Sequence, residues 1–304
     1  MWRWLTSATV AGFLIIAPAC ARTPAATETR EINPALFVVR DADSTLYLFG
    51  TVHIRRPGSP WAGENAERAL EESDEVWTEI EMSEGADARA AMLMMRHGTA
   101  PADQPLSSLL SAEENARLAE MAEGLGLNAA VFERMRPWFA GLMLAVWPMV
   151  QAGYDPEAGV DRAIDSVADA AGKRRRAFET MEQQVSFLAG MSMEAQMQML
   201  REALAETQKN PMAEFDAMSA AWESGDLDTL ERYVIDDTRD QYPEVYDVMF
   251  VQRNNAWMEM LDAELDGAGV DFVAVGAGHL LGEHGLVEQL RARGHNVERV
   301  SPAE

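Results

Sequence analysis

LFGTVH at Leu48–His53 and AVGAGH at Ala274–His279 are the stretches whose reading decides the fold. Each is a short apolar run that ends in glycine, with a histidine three positions beyond that glycine. Aromatic and β-branched residues make both runs strand-prone. A glycine at a strand end permits a tight turn and close approach of another backbone, so each imidazole is presented rather than packed. One Gly-x-x-His arises often by chance. Two of them, each behind an apolar strand and ahead of helical sequence, form a long-range echo. Strands followed by helices imply an α/β (α+β) core, here a central mixed sheet made of two pseudo-repeated strand–GxxH–helix halves. The competing reading is a pair of histidines that cap helices or sit satisfied in the core.

Outward from these motifs, Ala35–Arg40 and Thr45–Gly50 flank the polar turn Asp41–Ser44, a hairpin signal. Trp61–Glu72 reads as a helix and DEVWTEIEM (Asp74–Met82) as a strand. Period-two geometry puts Glu79 and Glu81 on one face of that strand. Two glutamates there are costly to bury unless they are paired or bind a cation; an edge strand with a wet face is the alternative. From about residue 86 to 265 the pattern is mainly helical and predicts a large helical insertion. Within it WFAGLMLAVWPMV (Trp138–Val150) is apolar nearly all round, but short and interrupted by Pro148, so it reads as a buried core helix. Gly159-Val160-Asp161 opens a helix that ends near Gly172, Lys173–Arg176 reads as a solvated turn, and Ala177–Thr180 as a short strand carrying Glu179. The many methionines that follow are most simply core filler. Strand Asp271–Gly276, helix Glu283–Arg293 and strand Asn296–Val300 close the chain.

Fifty acidic residues against 25 basic ones give a net charge of −25 over 304 residues. Such a surface repels nucleic acid phosphates, which excludes nucleic acid as a partner. Arg3, the uncharged run Leu5–Ala19 and the small residues Ala17, Ala19 and Ala21 have the layout of an export signal over residues 1–21. A flexible leader over 22–34 and a folded domain over 35–304 are expected to follow. Cys20 is the only cysteine, so no intrachain disulfide is possible. It stands where export signals are cut. Lipidation of Cys20 would anchor the protein to a membrane facing the periplasm; cleavage after Ala19 or Ala21 would release it. The context Ala17-Pro18-Ala19-Cys20 departs from a lipid-attachment motif at Pro18 and Ala17.

Two imidazoles with one or two carboxylates make a candidate site for a divalent cation with a position left open for water. A cation so held lowers the pKa of that water and polarises a carbonyl. His284, five residues after His279, does not share its helix face, and HLLGEH lacks the spacing of a zinc-protease helix. His97, His284 and His295 read as helix-end, helix-start and turn residues.

The motifs GTVH and GAGH, the strand bearing Glu79, GVD at Gly159–Asp161, FETMEQQ at Phe178–Gln184, RNNAWMEML at Arg253–Leu261 and the closing run Phe272–Val300 together resemble the TraB/GumN family, whose animal relatives are the Tiki proteins. The resemblance spans about Ala35 to Val300. It implies a peptidase-like hydrolase dependent on a divalent metal (manganese, cobalt or zinc), with a peptide or protein as substrate. Carried over residue by residue, the metal ligands are His53, His279 and Glu79, and the catalytic groups Glu79, Glu179 and Arg253. Glu79 is the first choice for ligand, Glu179 for general base and Arg253 for a clamp on an oxyanion or a substrate carboxylate. Gly50, Gly276, Asp161, Asn254 and Glu81 would support them; Glu81 stands where many relatives carry aspartate. A non-catalytic binder of peptide or haem, or an accessory factor in envelope polysaccharide production, are the other functions compatible with the motifs. Mass spectrometry of the mature amino terminus separates the two export outcomes: a lipid-modified Cys20 shows anchoring, and an unmodified first residue shows release.

Overall fold

The computed structural model describes residues 32–81, 85–205 and 211–301. The export signal, Cys20 and the leader up to residue 31 lie outside the described residues. The end of the expected leader is packed: Ile32 and Pro34 are buried, and the Asn33 N–H donates to the Glu223 carbonyl at 2.7 Å. Residues 32–34 are therefore part of the packed body.

The predicted hairpin forms. Strands β1 (Leu36–Arg40) and β2 (Ser44–Thr51) pair antiparallel, and Asp41 Oδ1 accepts from the N–H groups of Asp43 and Ser44 across the turn. Beside β2 lies β5 (Gly269–Gly276), parallel to it, with Gly50 opposite Val275 and Thr51 opposite Gly276. β3 (Glu75–Ile80) is parallel to β5 on the far side, and β4 (Arg174–Glu179) is parallel to β3. β6 (Val297–Arg299) closes the other edge against β1. The six-stranded mixed sheet runs in the order β4-β3-β5-β2-β1-β6. The two motif-bearing strands are thus neighbours pointing the same way. Their likeness ends soon after: Gly50–His53 leads into a loop, whereas Gly276 leads into a 3-10 turn, Ala277–Leu280.

Alternation along the strands sends Phe49, Val76, Phe272 and Ala274 into one apolar core and Leu46, Leu48, Trp77, Val273 and Val275 into another on the opposite face. Helices cover both faces. They are α1 (Glu64–Glu72), α2 (Ala86–Gly98), α3 (Ala112–Gly124), α4 (Pro137–Gln151), α5 (Val160–Ala170), α6 (Met181–Gly190), α7 (Met193–Leu204) and α8 (Pro211–Ser224). The short helices α9 (Leu227–Glu231), α10 (Asp237–Gln241) and α11 (Pro243–Tyr246) alternate with π-helical turns at Arg232–Asp236 and Asp247–Val251. α12 (Gln252–Leu265) and α13 (Leu286–Ala292) complete the set. Helix α4 carries Trp138, Phe139, Leu142 and Leu144 into the interior, and among the described residues no helix is long and apolar enough to cross a membrane.

Three sequence readings need correction. Lys173–Arg176 is not a turn: β4 begins at Arg174, on the sheet edge, where Arg174 and Arg176 lie 3.2 and 3.3 Å from Glu75. Ion pairs across the ladder replace the apolar pattern that usually marks a strand. β3 stops at Ile80, so Glu81 is exposed and does not share a buried face with Glu79. The last long helix starts at Leu286 rather than near Glu283, because Gly282 turns the chain with φ of +74°.

Gly50 matters through the space it leaves. A Cβ there would stand 2.9 Å from Ala277 Cα, a backbone atom of the turn that carries His279. Gly50→Ala is expected to cost about 1–3 kcal/mol of stability through this overlap. Guanidinium unfolding measures it; an unchanged midpoint would mean that the turn moves aside freely.

Candidate active site

Four adjacent parallel strands each deliver one polar residue at the carboxyl end, where ligands of open α/β sheets gather. His53 follows β2, Glu79 lies near the end of β3, Glu179 ends β4, and His279 sits in the turn after β5. Helix α12 adds Arg253, Asn254 and Trp257 from above, and the start of α5 adds Asp161. His53, Glu79, Asp161, Glu179, Arg253, Asn254 and His279 are all buried.

Arg253 is the hub. Its Nε donates to Glu179 Oε1 and Oε2 at 2.8 and 3.1 Å, and Nη2 donates to Glu79 Oε2 at 2.6 Å and Glu179 Oε2 at 3.0 Å. Nη1 donates to the Met249 carbonyl at 3.2 Å and faces His279 Nε2 at 3.0 Å. A guanidinium has five N–H donors, and here every one has a protein acceptor. Met249 belongs to the π-helical turn that precedes α12. Such turns recur at functional sites. The oxyanion clamp expected of Arg253 is not what this geometry shows: the charge is present, but its donors are already engaged.

The same network fixes the tautomer of His279. Asn254 uses its Nδ2 to donate to the carbonyls of His279 and His284, which leaves Oδ1 to accept from His279 Nδ1 at 2.6 Å. The proton is therefore on Nδ1, and Nε2 offers its lone pair to Arg253. Trp257 packs on the ring at 4.3 Å between centroids and donates its indole N–H to Glu179 Oε1 at 2.8 Å. Both ring nitrogens of His279 are committed.

His53 is placed differently. Its Nδ1 lies 3.0 Å from Asp161 Oδ1, while its buried Nε2 has no hydrogen-bond partner among the described residues. Asp161 thus orients one nitrogen and leaves the other open. Gly159 makes room for this pair, since a Cβ there would meet the His53 carbonyl at 2.7 Å and Asp161 Oδ1 at 2.9 Å. The Val160 N–H meanwhile donates to the Val52 carbonyl at 2.9 Å, pinning α5 to the motif.

Electrostatics separates the acids. Burial alone would raise Glu79, but the charge of Arg253 and the Gly276 N–H bond at 2.7 Å hold it down at about 2. Burial does push Glu179 up, against the lowering effect of Arg253 and Trp257. Desolvation would lower His53, yet the charge and hydrogen bond of Asp161, helped by Glu79, raise it. Two carboxyl groups on one guanidinium are driven apart, one firmly ionised and one more ready to hold a proton.

Gly276 supports Glu79 through its N–H, and Gly50 supports the turn by its lack of a side chain. Glu81 lies outside the cluster. Gln184, whose Nε2 donates to Glu79 Oε2 at 3.2 Å, and Trp257 are members that the sequence reading did not assign. Their signal was spacing: Trp257 is one helical turn from Arg253, and Gln184 stands within the FETMEQQ run beside Glu179.

A divalent cation shared by His53, His279 and Glu79 does not fit this arrangement. Among the described residues those three do not bring ligand atoms within 4.8 Å of one another; the group that does is Glu75, Glu264 and Asp271, toward the opposite ends of the strands. Arg253 already faces the ligand atoms of His279 and Glu79.

A mixed sheet with a buried acid–guanidinium–imidazole cluster at the carboxyl ends of its parallel strands defines the class: an α/β protein with an enclosed polar site. The chain belongs to the TraB/PrgY/gumN family, whose model matches residues 35–299. A search among curated proteins finds no match.

Arg253→Met is expected to destabilise the fold by about 3–5 kcal/mol, because it strands two buried carboxyl groups; denaturant unfolding reads this directly. Glu79 sets the pH dependence. Its folded-state value lies below the 4.5 of an ordinary glutamate, so its contribution is present above that pH and is lost as pH falls toward 2. The loss should be on the order of 3 kcal/mol. Unfolding curves of wild type and Glu79→Gln should converge over that range; parallel curves would show that Glu79 is not held ionised by the fold.

Proposed function

We propose that this protein is an exported hydrolase acting on peptide bonds, with His53 as its general base. The observation that carries the reading is the open Nε2 of a buried histidine whose other nitrogen is oriented by Asp161. With Nδ1–H donated to Asp161, Nε2 keeps its lone pair for a proton, and the carboxylate stabilises the imidazolium that forms. Water gives a proton to Nε2 as its oxygen adds to the carbonyl carbon. That proton then passes to the leaving amine nitrogen, which restores neutral His53. Glu79, Glu179, Arg253 and His279 hold the charged bed beneath this step. The cluster is enclosed, so turnover requires the helical cover to part and admit substrate. The export signal read in residues 1–21 supports an extracytoplasmic role.

A second reading keeps the divalent cation. Glu79 and Glu179 share a single guanidinium while a third buried carboxyl group, Asp161, sits on His53, and that excess of acid with an open His53 nitrogen favours a cation. In this reading His53 would hold the ion, and the ion would acidify water.

Hydrolysis of a synthetic peptide library tests both. With His53 as base, His53→Ala should lose activity by about 10²–10⁴-fold, and wild type should keep its activity in chelator. Loss in chelator with recovery on adding manganese, cobalt or zinc would favour the second reading. Equal rates for wild type, His53→Ala and His279→Ala would remove catalysis at this site altogether.

A further inference from the structure

A cleft of about 650 Å³ opens beside the acid end of the cluster, with Glu179 in its wall. The protein carries a net charge of −25, yet four arginines line this one cleft, Arg89 and Arg96 from α2 and Arg175 and Arg176 from β4, against the three glutamates Glu81, Glu179 and Glu182. Two of them are committed elsewhere. Arg175 lies 3.1 Å from Asp165 and 2.9 Å from Asp169, and Arg176 bridges Glu75 and Glu264 at 3.3 and 3.2 Å. Among the described residues the other two are not. Arg96 has only a distant contact with Glu182 at 3.9 Å, between two largely exposed side chains, and Arg89 has no side-chain hydrogen bond or ion pair among the described residues.

Arg89 and Arg96 stand two helical turns apart and so share a face of α2. Met92 and Leu93 fall between them on that face and also line the cleft, with Met92 62% exposed. The surface offered is cation, apolar patch, cation. In an acidic protein long-range attraction works against anions, so an anion is held only where cations are placed locally. Arginine forks suit carboxylates, to which they donate in pairs. The size falls within the range of small-ligand and peptide pockets.

We infer that this cleft is the part of the substrate site that selects a peptide bearing an acidic side chain next to an apolar residue, gripped by Arg89 and Arg96. The inference rests on the hydrolase reading for calling the peptide a substrate, while the binding itself does not. Three inter-strand steps separate β4 from β2, roughly 14 Å at the usual strand spacing, which an extended peptide covers in about four residues. A peptide anchored by its carboxylate in the cleft therefore places the bond near His53 about four residues from its acidic anchor.

The test uses the full chain with His53→Gln, immobilised so that bound peptides persist, and a synthetic pool of random octapeptides. Retained peptides are sequenced by mass spectrometry. Asp and Glu should be enriched about tenfold over Asn and Gln, and the enrichment should vanish when Arg89→Gln and Arg96→Gln are added. Both arginines are exposed, so an unchanged melting curve is expected and verifies that the double variant folds. No retention, no acidic enrichment, or the same enrichment in the double variant would each overturn the inference. If acid-selective binding through Arg89 and Arg96 holds while the wild type cleaves nothing, the cleft assignment stands and the hydrolase reading falls.

Discussion

Everything at the carboxyl ends of the strands depends on one guanidinium. Two glutamates buried under helices would each cost several kcal/mol if left alone. Arg253 makes them tolerable by engaging all its donors, two of them also fixing His279 and the Met249 carbonyl. The position of α12 over the sheet, the stacking of Trp257 on the imidazole and the π-helical turn before α12 are arranged around that hub. A buried ion network of this kind is poor as a source of stability and good as a source of geometry, because few alternative packings satisfy it.

The network makes the two motif histidines unequal. Both follow a strand and a glycine, and their strands are hydrogen-bonded neighbours. His279 is locked between Asn254 and Arg253 and serves the scaffold. His53 leans on Asp161 with one nitrogen and keeps the other open. Chemistry needs a lone pair that can move a proton, so the asymmetry directs attention to His53. It also explains why a cation bridging both rings is a poor description of this conformation: a positive charge already sits between His279 and Glu79.

Much of the outline was legible in the chain. Period-two alternation marked β3, apolar β-prone runs marked β2 and β5, and strand–glycine–histidine marked the ends that face the site. Edge strand β4 was harder, because Arg174 and Arg176 look like a solvated run until Glu75 is seen beneath them. Alternation placed Glu81 beside Glu79, but a strand's end is set by its neighbours, and β4 pairs β3 only as far as Ile80. Gln184 and Trp257 went unassigned because their importance is a matter of contact across elements, which no local pattern records.

The sequence by itself determined the sheet-forming segments, the helical insertion, the acidic character and the family, since these follow from periodicity, composition and motif order along the chain. Only the tertiary structure decided which histidine is free, that Arg253 has no donor left for a substrate, and that Asp161 belongs to His53. Those facts depend on distances between groups far apart in sequence, and a hydrogen bond is won or lost over a few tenths of an ångström that spacing along a chain does not encode.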